Sequence, residues 1–167
     1  MLFRSLITAE LHITNMPAFH IMACWEIIMV YLFYVELLRA PLFRWGIILL
    51  TGLCIADTIY FEDIKTFNAL AWSMDMIMII TIGMLYFYRL YQKDDKPIPL
   101  MKRPDFIITV GLLIYASGSL FPYLLANRIL TGSAEGFFKN AWFFQAVSNI
   151  SKNFIVSYGF LLMRRYE

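Results

Sequence analysis

Five apolar windows, separated by short segments that hold nearly all the charge, leave this chain one kind of fold. They cover residues 16–38, 45–60, 67–88, 106–127 and 141–163. A run of about 17–25 apolar residues is what an α-helix needs to cross a bilayer. Of the 14 Lys and Arg and the 12 Asp and Glu, only Glu26, Asp57, Asp75 and Lys152 fall well inside windows, with Glu36 near an edge. The second window is the shortest, and Asp57 lies near its end.

Composition agrees. Of 167 residues, 60% are hydrophobic and 16% charged, with a mean hydropathy of +0.66. A water-soluble domain carries about a quarter charged residues, so here the bilayer must act as solvent for much of the apolar surface. The expected fold is all-α: an integral membrane helical bundle of five transmembrane helices, one transmembrane domain over 1–167. The net charge of +2 is too small to point to a nucleic-acid partner, and the basic residues lie at window ends rather than in one patch. Residues 1–10 lack the apolar core and small-residue cleavage site of a secretory signal, so the first span is expected to direct insertion.

Lys and Arg asymmetry sets the expected orientation. One side holds Arg39, Arg44, Arg89, Lys93, Lys96, Lys102, Arg103, Arg164 and Arg165; the other holds Arg4, Lys65, Arg128 and Lys139. The richer side is read as cytoplasmic, placing the N-terminus out and the C-terminus in. The loop 89–105, with Pro97, Pro99, Pro104 and mixed charge, reads as a solvated cytoplasmic connector whose cations can touch anionic head groups. Thr131, Gly132, Ser133 and Gly136 suit a turn on the outer side. Tyr60, Phe61, Tyr91 and Trp142 read as interfacial anchors.

Charge inside hydrocarbon is expensive unless paired or hydrated, so Glu26, Asp75 and Lys152 mark a candidate site. In the fifth span Gln145, Asn149, Asn153 and Ser157 recur every four residues beside a row of Ser148 and Lys152. Such a stripe must face other helices or water, serving as interhelical glue or as a ligand or ion pathway. At about 1.5 Å per residue, Glu26, Asp75 and Lys152 lie roughly 12 to 17 Å deep, which predicts that Lys152 meets Glu26 or Asp75. The alternative for either acid is a solitary, protonated carboxyl.

Nearer the outer surface, His20 and Asp57 offer a possible ligand or proton site, against the plainer reading of His20 as a hydrogen-bonded structural residue. His20 and Glu26 are six residues apart, about 120° around a helix, so they are not expected to share a ligand. Cys24 and Cys54 have no metal-type spacing and read as small buried hydrophobes. Small residues Ser117, Gly118 and Ser119 beside Tyr115 permit close helix approach, and Pro122 predicts a kink or a freed carbonyl. With no nucleophile elbow, phosphate loop, paired-His helix or dinucleotide fingerprint, neither an enzyme nor a cofactor nor a metal is expected.

Several segments resemble a group of uncharacterised bacterial inner-membrane proteins, often encoded beside two-component or LytTR-type regulators. The resemblance rests on Asn15-Met16-Pro17-Ala18-Phe19-His20 followed by Glu26, on Leu85-Tyr86-Phe87-Tyr88, and on Pro104-Asp105-Phe106-Ile107. It continues through Gly111, Tyr115 and Gly118, then Asn149, Asn153 and Tyr158-Gly159-Phe160. It implies a multi-pass protein of the bacterial inner membrane, a sensory or regulatory signalling module of unknown ligand. The chain departs from the pattern at Lys152, and the stretch before Asn15 is too short for the two further spans usual there. If the N-terminus is abbreviated, the bundle would need a membrane-protein partner or a second copy to be complete. The expected function is therefore a sensory or regulatory subunit with a polar intramembrane cavity. A small ion-coupled carrier and a structural assembly subunit are the alternatives.

Overall fold

Capping residues, prolines and charge set the helix ends. The computed structural model describes residues 16–38, 43–60, 66–92, 99–130 and 140–165, nearly all of them helical. Helix α1 spans Met16–Leu38, α2 Phe43–Tyr60 and α3 Ala69–Gln92. A 3-10 turn at Leu100–Lys102 leads into α4 (Pro104–Leu124), the short α5 (Ala126–Leu130) and α6 (Ala141–Arg165). The expected loop's centre at 93–98, the turn residues Thr131, Gly132, Ser133 and Gly136, and Phe61 lie outside the described residues, as do Arg4, Arg39, Lys65, Lys93, Lys96 and Lys139.

Asn68 caps α3: its side-chain oxygen accepts the Ala71 backbone N–H at 3.0 Å, filling one of the donors that a helix start leaves unpaired. Helix α4 opens on Pro104 with Asp105 in its first turn, a pairing of preset φ and favourable dipole charge. It continues through Pro122 as helix. The proline removes an N–H that would have bonded the Gly118 carbonyl, but the interruption of the helix falls three residues later, at Leu125.

Helices α1, α3 and α4 are each long and apolar enough to cross a membrane. This is a coarser result than five windows. Helix α2 has 18 residues, with a continuous apolar stretch over Ile48–Tyr60, and the polar stripe dilutes α6. On α1, Ala23, Ile27, Tyr31, Tyr34 and Leu38 are buried at helical spacing, while Ile21, Trp25, Met29 and Leu32 on other faces are exposed. A helix apolar all round has no water-facing side, so these exposed groups suit lipid.

In the packing order α2 leans on α1, α1 on α3, α3 on α4, and α4 most extensively on α6. Glycine makes the α4–α6 seam. A Cβ at Gly111 would press on Ile155 and Val156, one at Gly118 would collide with Ser148, and one at Gly159 would stand 2.6 Å from Ile108 Cγ1. Such small residues let backbones approach where hydrocarbon supplies no hydrophobic drive.

Candidate functional site

A cavity of about 480 Å³ lies between α1, α3, α4 and α6. It runs from the bundle end marked by Met16, Leu130 and Trp142 inward to Glu26 and Lys152. Its walls are largely aromatic (Phe19, Phe67, Trp72, Tyr123 and Trp142), and Gln145 and Asn149 add amides. The volume is that of a small-molecule site, which spans about 300–1,000 Å³.

At the inner end Lys152 Nζ donates to Glu26 Oε1 at 3.3 Å, tying α6 to α1. The ammonium also lies 3.7 Å from the centroid of the Tyr115 ring, a cation–π contact worth about 0.5–2 kcal/mol. The Tyr115 hydroxyl donates to Glu26 Oε2 at 3.3 Å, and Tyr123 lies 3.4 Å from Tyr115, oxygen to oxygen. Gln145 Nε2 donates to the Tyr123 hydroxyl at 3.1 Å. The donors therefore run one way: Gln145 to Tyr123, Tyr123 to Tyr115, Tyr115 to Glu26. Glu26 collects two donors and is the acceptor end of a network joining α1, α4 and α6.

Of the two acids expected opposite Lys152, Glu26 makes the ion pair. Asp75, 1% exposed, does not line the cavity. Among the described residues neither of its oxygens has a hydrogen-bond partner. It shares a crevice of about 10 Å³ with Asp57, Cys54 and Ile27, room for about one water. Asp57 is thus grouped with Asp75.

His20 is satisfied on both nitrogens. Nε2 stands 3.1 Å from the Thr66 carbonyl, which can only accept, so Nε2 carries the hydrogen. Nδ1 accepts from Asn68 Nδ2 at 3.0 Å and lies 2.9 Å from Thr58 Oγ1. That geometry fits the plainer reading of His20, as a clasp between α1 and the starts and ends of its neighbours.

The four-residue stripe divides. Gln145, Asn149 and Lys152 line the cavity, whereas Asn153 and Ser157 are exposed on α6. Four residues advance a helix about 40° beyond a full turn, so the row winds out of the cavity toward its last members. Trp142 lines the cavity, and Tyr60 and Tyr91 are 79% and 85% exposed.

Tyr123, Trp72 and Phe67 carry no motif or spacing of their own, yet their rings pack together. Phe67 and Tyr123 stack at 5.9 Å, and Trp72 lies 5.1 Å from Tyr123. No spacing rule distinguishes a cavity aromatic from a core one. The thiols of Cys24 and Cys54, unpaired by any motif, are 2.8 Å apart across α1 and α2.

No family model matches the chain, and no curated protein or solved structure does either.

Proposed function

We propose that the chain is a membrane-embedded sensory or regulatory subunit whose ligand occupies the cavity above the Glu26–Lys152 pair. On this reading it crosses a bacterial inner membrane five times, N-terminus out and C-terminus in, as part of an assembly with a partner or a second copy. The observation that carries it is the ion pair itself: one contact at a cavity floor joins α1 to α6. A group entering there competes for its donors and acceptor, so occupancy acts directly on the packing of two helices. A switch requires only that the two arrangements bind the ligand with different affinity.

The far end of the bundle supports the same arrangement. Arg89 donates to the Leu38 carbonyl at 2.9 Å, Tyr86 donates to Asp105 at 2.8 Å, and Arg103 pairs with Asp105 at 3.7 Å. These contacts gather the α1 end, the α3 end and the α4 start, which hold Arg89 and Asp105 at the two ends of the basic segment 89–105. Movement of α1 would therefore reach that loop. Five crossings accord with α2, whose 18 residues extend about 27 Å, and with an α6 whose polar groups turn in part toward the cavity.

The test is Lys152→Met and Glu26→Gln at equal membrane abundance. Hydrogen exchange of the 89–105 segment and the activity of a co-purified partner are both expected to change. If each variant only lowers abundance, the stripe is structural and the proposal fails.

A further inference from the structure

A second opening, of about 240 Å³, lies at the end of the bundle away from Met16 and Trp142. Three helices meet there: α1 ends at Leu38, α3 carries Arg89 in its last turn, and α4 begins at Pro104. These are the three helices long and apolar enough to cross a membrane. In a bilayer their shared ends lie at the level of the lipid head groups.

Two guanidiniums line the opening, those of Arg89 and Arg103, together with one carboxylate, Asp105. The Tyr86 hydroxyl donates to Asp105 Oδ2 at 2.8 Å, and Arg103 Nη2 stands 3.7 Å from the same oxygen. That second separation is an ion pair, too long for a hydrogen bond. Arg89 Nη1 donates to the uncharged Leu38 carbonyl at 2.9 Å. Among the described residues Arg89 has no carboxylate within ion-pair distance. A guanidinium has five N–H donors, so both arginines keep donors for a further acceptor. The groups can be reached: the side chains of Arg103 and Asp105 are 22% and 26% exposed, and Arg89 is half-buried.

Charge selects an anion. One negative group balances the unmatched guanidinium, whereas a cation would face two positive groups, and a neutral ligand would leave Arg89 without a counter-charge. Arginine forks suit phosphate, whose oxygens accept two parallel N–H bonds from one guanidinium. Leu37, Leu38 and Leu90 complete the lining. They set carbon beside the charge, as the glycerol and first acyl carbons of a lipid require and a free phosphate ion does not.

We propose that this opening binds the phosphate group of an anionic phospholipid, held by Arg89 and Arg103 with the lipid's carbon against Leu37, Leu38 and Leu90. The site shares no residue with the cavity at Glu26 and Lys152, and it stands or falls independently of the sensory reading.

The test uses the full chain in detergent micelles, titrated with phosphatidylglycerol or phosphatidylcholine and followed by native mass spectrometry. Phosphatidylglycerol is expected to give a saturable one-to-one adduct. Phosphatidylcholine, whose choline cancels the phosphate charge, should bind roughly tenfold more weakly. Arg103→Gln should weaken the phosphatidylglycerol adduct about tenfold. Lys102→Gln removes the same charge from an exposed neighbour outside the opening and should leave binding nearly unchanged. Leu90→Trp keeps every charge but fills the opening, and it should weaken the adduct as Arg103→Gln does. Equal losses in Lys102→Gln and Arg103→Gln would reduce the effect to general surface attraction and overturn the proposal. Equal binding of the two lipids, or binding untouched by Leu90→Trp, would overturn it as well. Inorganic phosphate that displaces the lipid at matching concentration would make the site one for soluble phosphate and overturn the lipid assignment.

Discussion

At the scale of single residues, Lys152 and Glu26 hold each other in place. With side chains 17% and 19% exposed, they are sheltered but not sealed. Removing one partner of a buried pair costs about 3–5 kcal/mol, whereas replacing both by neutral groups costs much less. Lys152→Met should therefore destabilise the protein by roughly 3 kcal/mol, the low end for a pair touching a cavity. Adding Glu26→Gln should recover most of that loss. Unfolding in mixed micelles would measure it, and additive losses would mean the two groups do not interact. Depth counting along two windows was enough to foresee Lys152 opposite an acid. It could not choose Glu26 over Asp75, because helix rotation decides that choice and rotation depends on packing that a single sequence does not display.

At the scale of helices, glycine sets how closely α4 and α6 lie. Gly118→Leu or Gly159→Leu should force the pair apart and cost several kcal/mol, with overpacking alone worth about 1–3 kcal/mol. Gly52 on α2 has nothing within 4 Å of an added Cβ, so Gly52→Leu should leave stability unchanged or slightly improved. Equal losses at Gly52 and Gly118 in the same unfolding measurement would refute the seam. Helix positions were legible because charge and proline bound the windows: the expected 16–38 is the observed α1, and 141–163 lies within α6. The cavity's aromatic walls were not legible, since Tyr123 and Trp142 become neighbours only after α4 and α6 are zipped together.

For the whole molecule, orientation is the open proposition that follows from charge. In a Cys24→Ser, Cys54→Ser background, Ser133→Cys should react with a membrane-impermeant maleimide added outside intact cells, and Asp95→Cys should react only after lysis. The reverse pattern would invert the topology and put the Met16 and Trp142 end of the cavity inside. Composition alone made a bilayer protein legible, and among the described residues three helices meet the length and hydropathy of a span. Helix α6 misses that hydropathy because Gln145, Asn149, Asn153 and Lys152 stand where a lipid-facing helix would carry apolar carbon.

The glycine seam has a mechanical consequence. Two backbones locked that closely move as one stiff plank, so a displacement at the cavity floor cannot be absorbed between α4 and α6. On the proposed reading it appears as a roll of α1. A roll by one residue's arc, about 100°, would carry Glu26 away from the ammonium and turn a lipid-facing flank such as Trp25 or Met29 inward. On the proposed reading the first helix is the pointer, and the α4–α6 pair is its fixed dial.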